Sequence, residues 1–223
     1  MTVSWGRTMR NEVRASVAAY MSPRMEGRPV DHRGYPVPWF VTLHDDDGNW
    51  EFRVLDPRRY AEAIRREVCW ICGKPLGKKL AFAVGPMCGI NRISAEPPQH
   101  FECAEFAVKT CPFMLLPKAV RREAALPEAR SSELHILRNP GVMLIWETRS
   151  MRVIRPNEWQ TLFRMGEPER ISFWREGRAA TRAEIDESVA SGCPALRDMA
   201  QKEGALDHYH ELVEKFERLL PAA

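Results

Sequence analysis

Two pairs of metal-ligand side chains constrain the fold of this chain more than any other feature of its sequence. Cys69 and Cys72 are separated by two residues, and His100 and Cys103 repeat that spacing further along the chain. Zinc prefers thiolate and imidazole ligands in a tetrahedron, and its structural sites are closed by four protein ligands. Gly73 can relieve the tight turn that directs both sulfurs of the first pair at one ion. The sequence therefore predicts a Zn²⁺ site formed by Cys69, Cys72, His100 and Cys103.

The remaining cysteines leave alternatives to this ligand set. Cys88 could replace His100 as a ligand, whereas Cys111 lies about two helical turns, or roughly 12 Å, beyond the second ligand pair. A redox dithiol at Cys69 and Cys72 is the non-metal alternative. A thioredoxin-like motif follows a strand in a βαβ context, but here a helix is predicted before the pair and further ligand residues follow it. Zn²⁺ is therefore the predicted cofactor, with the third ligand open between His100 and Cys88.

The composition is that of a globular chain. Of its 223 residues, 44% are hydrophobic and 28% are charged, which suits one large domain or two small ones. No apolar run approaches the roughly 20 residues that span a bilayer, and the N-terminus lacks the apolar core of a signal peptide. We therefore expect a cytoplasmic protein without a membrane partner. Thiols stay reduced in that compartment, where a Cys-x-x-Cys pair is more often a metal or redox site than a disulfide.

The order of strands and helices predicts an α+β fold with small antiparallel strands, a zinc-binding segment and a helical C-terminus. We divide the chain into a basic N-terminal segment (1–30), a domain with a hairpin, a helix and the zinc site (31–116), and an α+β domain that ends in helices (117–223). The second boundary lies where proline and charge rise together, at the start of a stretch (117–129) that is also predicted to be helical.

In the zinc-binding domain, β-branched and aromatic residues, turn residues and a helix N-cap define the elements. They are a hairpin (39–43 and 50–54, with a turn at 45–48), a helix (56–68), a strand (80–84) and a helix (101–110).

The C-terminal domain is predicted in the same way, and Thr181 and Glu184 form a capping box in which each side chain bonds a backbone N–H of the other. The predicted elements are a strand at 141–146 paired with one at 151–154, a strand at 170–174 with a turn at 176–177, a helix from 181 that stops at 191–192, a second helix from 194 and a last helix at 207–220.

A Cys-x-x-Cys turn, a strand and a helix whose first turn supplies the second ligand pair resemble a treble-clef zinc finger. The resemblance covers about residues 68–112 and implies a local fold rather than a function. The treble-clef group includes HNH-type nucleases, which need a histidine base and a further histidine or asparagine for a catalytic metal. His100 is the only histidine of the segment, and Asn91 and Glu102 alone do not form such a site. Nuclease activity is therefore not expected here.

Four stretches also resemble uncharacterised proteins encoded by bacteriophages and prophages. They are Cys69-Trp-Ile-Cys-Gly-Lys-Pro-Leu-Gly77, Gly85-Pro-Met-Cys-Gly-Ile-Asn-Arg92, Ala95-Glu-Pro-Pro98 and Trp174-Arg-Glu-Gly-Arg-Ala-Ala-Thr-Arg182. The resemblance implies a bacterial or viral origin. If the protein is encoded by a phage, the expected location is the cytoplasm of the bacterial host. It implies no activity.

The net charge of +3 and the pI of about 8.6 permit nucleic-acid binding without requiring it. The arginines of the N-terminal segment form either a solvated tail or an arm that contacts phosphate groups; they are Arg7, Arg10, Arg14, Arg24 and Arg28. The candidate binding residues of the zinc-binding segment are Arg65, Arg66, Trp70, Lys74, Lys78, Lys79 and Arg92. Trp70 is expected to be the more exposed tryptophan, so that it either stacks on a base or a partner side chain or packs against the finger itself.

These features favour a zinc-stabilised binding protein of phage or bacterial origin that engages nucleic acid or a host or phage protein without catalysis. No catalytic residue is predicted, because the sequence has no Gly-x-Ser-x-Gly, no phosphate-binding P-loop and no Gly-x-Gly-x-x-Gly. Two alternatives stay open: a nucleic-acid-processing enzyme with a site outside the zinc finger, and a phage structural or assembly protein.

Overall fold

The computed structural model of the protein describes residues 11–117, 119–120, 139–158 and 160–222. The helices within these ranges are α1 (Ala15–Ala18), α2 (Pro57–Arg66), α3 (Pro86–Asn91), α4 (Phe101–Thr110), α5 (Pro112–Leu115), α6 (Arg182–Lys202) and α7 (Leu206–Glu217), with a 3-10 turn at Pro23–Met25. The strands are β1 (Leu80–Val84), β2 (Ile93–Ser94), β3 (Met143–Thr148), β4 (Met151–Asn157), β5 (Gln160–Met165), β6 (Pro168–Arg175) and β7 (Arg178–Ala179). The fold is α+β with antiparallel sheets and C-terminal helices, as predicted.

Two antiparallel sheets organise the chain. The larger has the strand order β1-β3-β6-β7, and the smaller has the order β2-β5-β4. Strand β3 is central in the larger sheet, and all six of its residues are buried. A strand that is covered on both faces has a continuous apolar run rather than an alternating pattern, and the run from Met143 to Trp146 predicts a buried strand from the sequence. Among the described helices none is long and apolar enough to cross a membrane.

The alternation of side chains along β1 separates two cores. Phe82 and Val84 point into the main core, which β3, β5 and helices α3, α6 and α7 complete. Ala81 and Ala83 point to the opposite face, where α4 packs with Ala104 and Val108. Successive strand residues face opposite sides of a sheet, so the two alanines let α4 approach closely. This helix carries two of the predicted metal ligands.

The sheets join segments from both sides of the predicted boundary at residue 117. Strand β1 pairs with β3 from Leu80 opposite Thr148 to Val84 opposite Leu144, and β2 pairs with β5. The division of the chain into three parts stays a prediction. Its second and third parts share one sheet and one apolar core. The predicted helix at 117–129 and residues Arg7 and Arg10 lie outside the described residues.

The predicted hairpin at 39–43 and 50–54 is only partly present: the chain folds back, with the Glu51 N–H donating to the Leu43 carbonyl, but neither predicted strand forms. His44 and Trp50 form an isolated bridge rather than part of a ladder. The turn between them is present, because Asp45 accepts the backbone N–H groups of Asp47 and Asn49. Trp39 does not pair with the second half of the hairpin, because its backbone N–H donates to the Ile71 carbonyl at 2.7 Å.

The predicted pairing of 151–154 with 141–146 is wrong. Both edges of β3 are occupied, by β1 and by β6. Strand β4 therefore pairs with β5, from Met151 opposite Met165 to Asn157 opposite Gln160. Strand β5 itself was not predicted.

Helix α6 does not stop at 191–192 as predicted, but runs through Pro194 as one helix. Its capping box forms as expected from Thr181 and Glu184. Gly192 lies against Met87 of α3, so close that a Cβ atom would be 2.7 Å from Cγ of that side chain. Packing of both halves on the main core, through Ile185 and Leu196, outweighs the absence of one helical hydrogen bond at proline.

The shared sheet predicts that a fragment of residues 1–116 does not fold by itself. Without β3 the apolar side chains Phe82 and Val84 and the backbone edge of β1 would be exposed. We expect a ¹⁵N–¹H correlation spectrum with collapsed dispersion for this fragment in the presence of zinc, against a dispersed spectrum for the full chain. A dispersed spectrum of the isolated fragment would instead establish that residues 1–116 fold independently of β3.

Candidate metal centre

Cys69, Cys72, His100 and Cys103 come together as predicted. Their ligand atoms all lie within 4.8 Å of one another, and all four residues are buried. Within the described ranges this is the one cluster of at least three histidine, cysteine or acidic side chains that could hold a metal ion. The chain therefore has a buried Cys₃His group suited to a metal.

The first pair sits on a tight turn that follows α2. Helix α2 begins with Asp56 as N-cap and Pro57 in the first turn, as predicted, and ends before the turn. The Cys69 N–H donates to the Lys74 carbonyl at 2.8 Å, and the Gly73 N–H donates to the Cys69 carbonyl at 2.8 Å. These bonds fold the backbone back on itself, so that both sulfurs point to the same place.

Gly73 is required in this turn for two reasons. Its φ is +73°, a left-handed backbone conformation that residues other than glycine rarely adopt. A Cβ atom would also lie 2.3 Å from Cδ1 of Trp39, which covers the turn. The glycine thus permits both the left-handed turn and the packing of Trp39 against it.

The second pair is placed by the sheet. Gln99 and Ala81 of β1 exchange two backbone hydrogen bonds of 2.8 Å, which positions the residue that follows. His100 is the N-cap of α4, and Cys103 lies in the first turn of that helix. Residues three apart at the start of a helix share a face, so the two side chains converge on the turn that holds the first pair.

Two distances between ligand atoms are close to those around a tetrahedral zinc ion. The Nδ1 atom of His100 lies 3.4 Å from Sγ of Cys72 and 3.8 Å from Sγ of Cys103. Zn–S bonds of roughly 2.3 Å and Zn–N bonds of about 2.0–2.1 Å at tetrahedral angles separate such atoms by about 3.6 Å. The cluster therefore fits a zinc site.

The other ring nitrogen of His100 orients the imidazole. Its Nε2 lies 3.0 Å from the Pro75 carbonyl. A carbonyl only accepts, so Nε2 carries a proton, and Nδ1 is the nitrogen that could release its own proton and offer a lone pair to a metal. Sequence reasoning missed Pro75, because the group that it contributes is a backbone carbonyl, which every residue type has.

Hydrogen bonds among the four groups perturb their protonation. Those from Cys103 and Cys69 hold the pKa of Cys72 far below its usual range, whereas those with Cys69 and Cys72 raise the pKa of Cys103. Burial by itself lowers the pKa of His100, but its bonds to Cys69 and Cys72 outweigh burial and raise that pKa to about 10. The crowded groups share protons, and a divalent cation can replace those protons.

Neither of the other two cysteines considered from the sequence joins the cluster. Cys88 lies on α3 and packs against the main core, where burial raises the pKa of its thiol to about 11. Cys111 is the N-cap of α5, beyond the end of α4. His100 therefore belongs to the cluster, and Cys88 does not replace it there.

The expectation that Trp70 is exposed is wrong, because its exposure is 0%. Its ring stacks on Phe40 with centroids 4.7 Å apart, and Tyr60 meets it edge-on at 5.6 Å. The N-terminal residues fold over the metal turn and cover this ring. Trp70 thus packs within the protein, which was the second of the two expectations, and cannot stack on a base in this conformation.

Some of the seven candidate binding residues form ion pairs with acidic side chains, and others do not. Arg66 is paired with Glu62, and Arg92 with Glu167. Lys79 lies 3.8 Å from both Glu147 and Glu169. The exposed cations with no ion pair to any described residue are Arg65, Lys74 and Lys78.

The described part of the N-terminal segment is docked rather than free. The Arg28 guanidinium donates to the carbonyls of Val37 and Pro38 at 2.9 and 3.2 Å. Arg24 forms an ion pair with Glu102 of α4 at 3.6 Å. Neither side chain is therefore available as part of a mobile phosphate-binding arm.

No protein-family model matches the chain, and neither a curated protein nor a solved structure matches it.

Replacement of Gly73 tests the turn of the metal centre. Gly73→Ala should lower the free energy of unfolding by about 1–3 kcal/mol, the typical cost of a strained backbone position. The contact of the added Cβ with Trp39 should increase this loss. Gly77→Ala is the matched control, since its Cβ would meet nothing within 4 Å. Chemical denaturation of the zinc-loaded proteins measures the difference. Equal stability of the two variants would contradict the geometry of the turn.

Proposed function

We propose that this chain is a zinc-stabilised binding protein, and that its partner is a nucleic acid which it binds without catalysis. The observation that carries the proposal is the closed, buried Cys₃His cluster. Three thiolates and one imidazole favour zinc over magnesium or calcium, which prefer oxygen ligands.

A structural role for the metal follows from its enclosure. The most exposed of the four ligands is His100, at 7%, and Cys69 and Cys103 are at 0%. Catalytic zinc sites keep one coordination position open for water or substrate. Here four protein ligands fill a tetrahedron, so the ion would stabilise the fold rather than perform chemistry.

The nucleic-acid partner is supported by the unpaired cations beside the metal turn. Arg65 lies at the end of α2, and Lys74 and Lys78 lie in and after the turn, all exposed. Cations without protein partners can neutralise phosphate groups and release bound counterions. The treble-clef likeness and a phage or bacterial origin, with a location in the bacterial cytoplasm, belong to the same proposal.

The alternative partners and activities have weaker support. A protein partner would fit the same cations if it were acidic. An enzyme with a site outside the zinc segment lacks a second cluster of metal ligands within the described ranges. Outside the metal centre, the histidines that the structure describes are His32, His44, His208 and His210, and all four are exposed.

Metal content tests the first half of the proposal. Protein purified without added metal should contain about one zinc per chain by elemental mass spectrometry, as four protein ligands imply. Cys103→Ser should lose most of it, because three ligands hold zinc more weakly than four. Cys88→Ser and Cys111→Ser are matched controls and should retain it. A folded, reduced protein without zinc, or full zinc content in Cys103→Ser, would refute the metal site.

Binding of labelled oligonucleotides tests the second half. Fluorescence anisotropy over a range of salt concentrations should give an affinity that falls steeply with salt. The triple variant Arg65→Gln/Lys74→Gln/Lys78→Gln should bind more weakly, whereas Lys215→Gln, which removes a cation paired with Glu211, should not. If the protein binds no oligonucleotide but captures a protein partner independently of salt, the partner is a protein rather than a nucleic acid.

A further inference from the structure

The smaller sheet carries two arginines directly opposite each other. Arg152 of β4 pairs with Arg164 of β5 in the antiparallel ladder. The next pair, Val153 with Phe163, packs into the main core. Because alternate pairs face opposite sides of a sheet, the two arginines point away from the core. Both are exposed.

Three partly exposed aliphatic side chains surround this arginine pair. Ile93 of β2 is the partner of Arg164 on its other edge, and Ile154 pairs with Leu162 one step along the same face. None of the three belongs to an apolar core of the described structure. We call this surface, formed by Arg152, Arg164, Ile93, Ile154 and Leu162, the arginine face.

No described acidic side chain forms an ion pair with Arg152 or Arg164, nor with Arg155, the exposed residue that follows in β4. Glu167, which follows β5, is already paired with Arg92. Like charges directly opposite in a sheet have Cβ atoms about 4.5–5.5 Å apart and destabilise the pairing.

Another pair of arginines that lie opposite each other in the described sheets is neutralised. Arg175 of β6 faces Arg178 of β7, and both form ion pairs with Glu184. The two arginines of the arginine face have no such acidic partner among the described residues. A bound anion would remove the repulsion that the fold retains there.

We propose that the arginine face binds the sugar–phosphate backbone of a nucleic acid. The proposal rests on the function proposed above and adds a second surface to the cations beside the metal turn. Two guanidinium groups held side by side can each donate two hydrogen bonds to a phosphate. The aliphatic side chains lie beside the arginines and offer apolar contact to the sugars. Contacts to phosphate position a nucleic acid without reading its sequence.

Salt-dependent binding tests the arginine face. Single-stranded DNA, duplex DNA and single-stranded RNA, each of two base compositions, serve as probes in fluorescence anisotropy. The variant Arg152→Gln/Arg164→Gln should weaken binding to all sequences alike. Its slope of log K against log salt concentration should be shallower by roughly 0.7–0.9 for each phosphate group that the variant no longer neutralises.

Two matched variants separate charge, geometry and position. Arg152→Lys/Arg164→Lys keeps both charges and should keep most of the slope. Lys215→Gln/Arg218→Gln removes two cations that are ion-paired on α7 and should leave the slope unchanged. Thermal unfolding at low salt provides the folding control, because relief of the repulsion should leave the melting temperature of the glutamine variant unchanged or higher.

The outcomes distinguish this inference from the proposed function. Wild-type protein that binds DNA, with an unchanged slope for Arg152→Gln/Arg164→Gln, overturns the arginine face and leaves the nucleic-acid partner in place. A slope that also falls for Lys215→Gln/Arg218→Gln overturns it too, because net charge would then explain the effect. Wild-type protein that binds neither DNA nor RNA at low salt overturns both proposals.

Discussion

The structure depends on how strand β1 is held between two neighbours. On one edge Ala81 pairs with Gln99, the residue before the ligand His100, and on the other edge it lies opposite Glu147 of β3. One short strand thus connects the metal cluster to the central strand of the larger sheet. Because the two edges belong to the same backbone, displacement of the metal ligands would also disturb the sheet. We infer that the metal stabilises more of the fold than the segment between its ligands.

A second consequence of the buried cluster concerns charge. Three thiolates around a zinc ion leave one net negative charge in an enclosed site, which is costly unless a cation lies nearby. Arg28 supplies one. Burial and the nearby charge of Arg59 lower the pKa of Arg28, and the negative charge of Cys72 partly opposes that shift. Arg28 of the N-terminal segment therefore adds a positive charge beside the buried cluster.

The elements that could be predicted are those with a local cause. Helix α2 has its N-cap and proline, helix α6 begins with a capping box, and the four metal ligands have a spacing that is itself the signal. The pairing of β4, the continuity of α6 through Pro194 and the burial of Trp70 have distant causes. Each depends on which surface packs against it: the occupied edges of β3, the contact of Gly192 with Met87, and the cover by Phe40. No pattern near those residues in the sequence contains that information.

Charge illustrates the same difference between local and distant causes. The chain has 33 lysines and arginines against 30 acidic residues, so the balance says little about where a polyanion could bind. Arg66, Lys79 and Arg92 look like binding residues in the sequence but are neutralised by nearby acidic side chains. Arg152 and Arg164 are separated along the chain, and only the register of β4 against β5 brings them together. The opposed arginines Arg175 and Arg178 are neutralised by Glu184, whereas Arg152 and Arg164 are not. A protein that keeps such a repulsive pair exposed retains a local cost that binding can recover. That is why a surface absent from the sequence-based prediction is the stronger candidate for contact with phosphate.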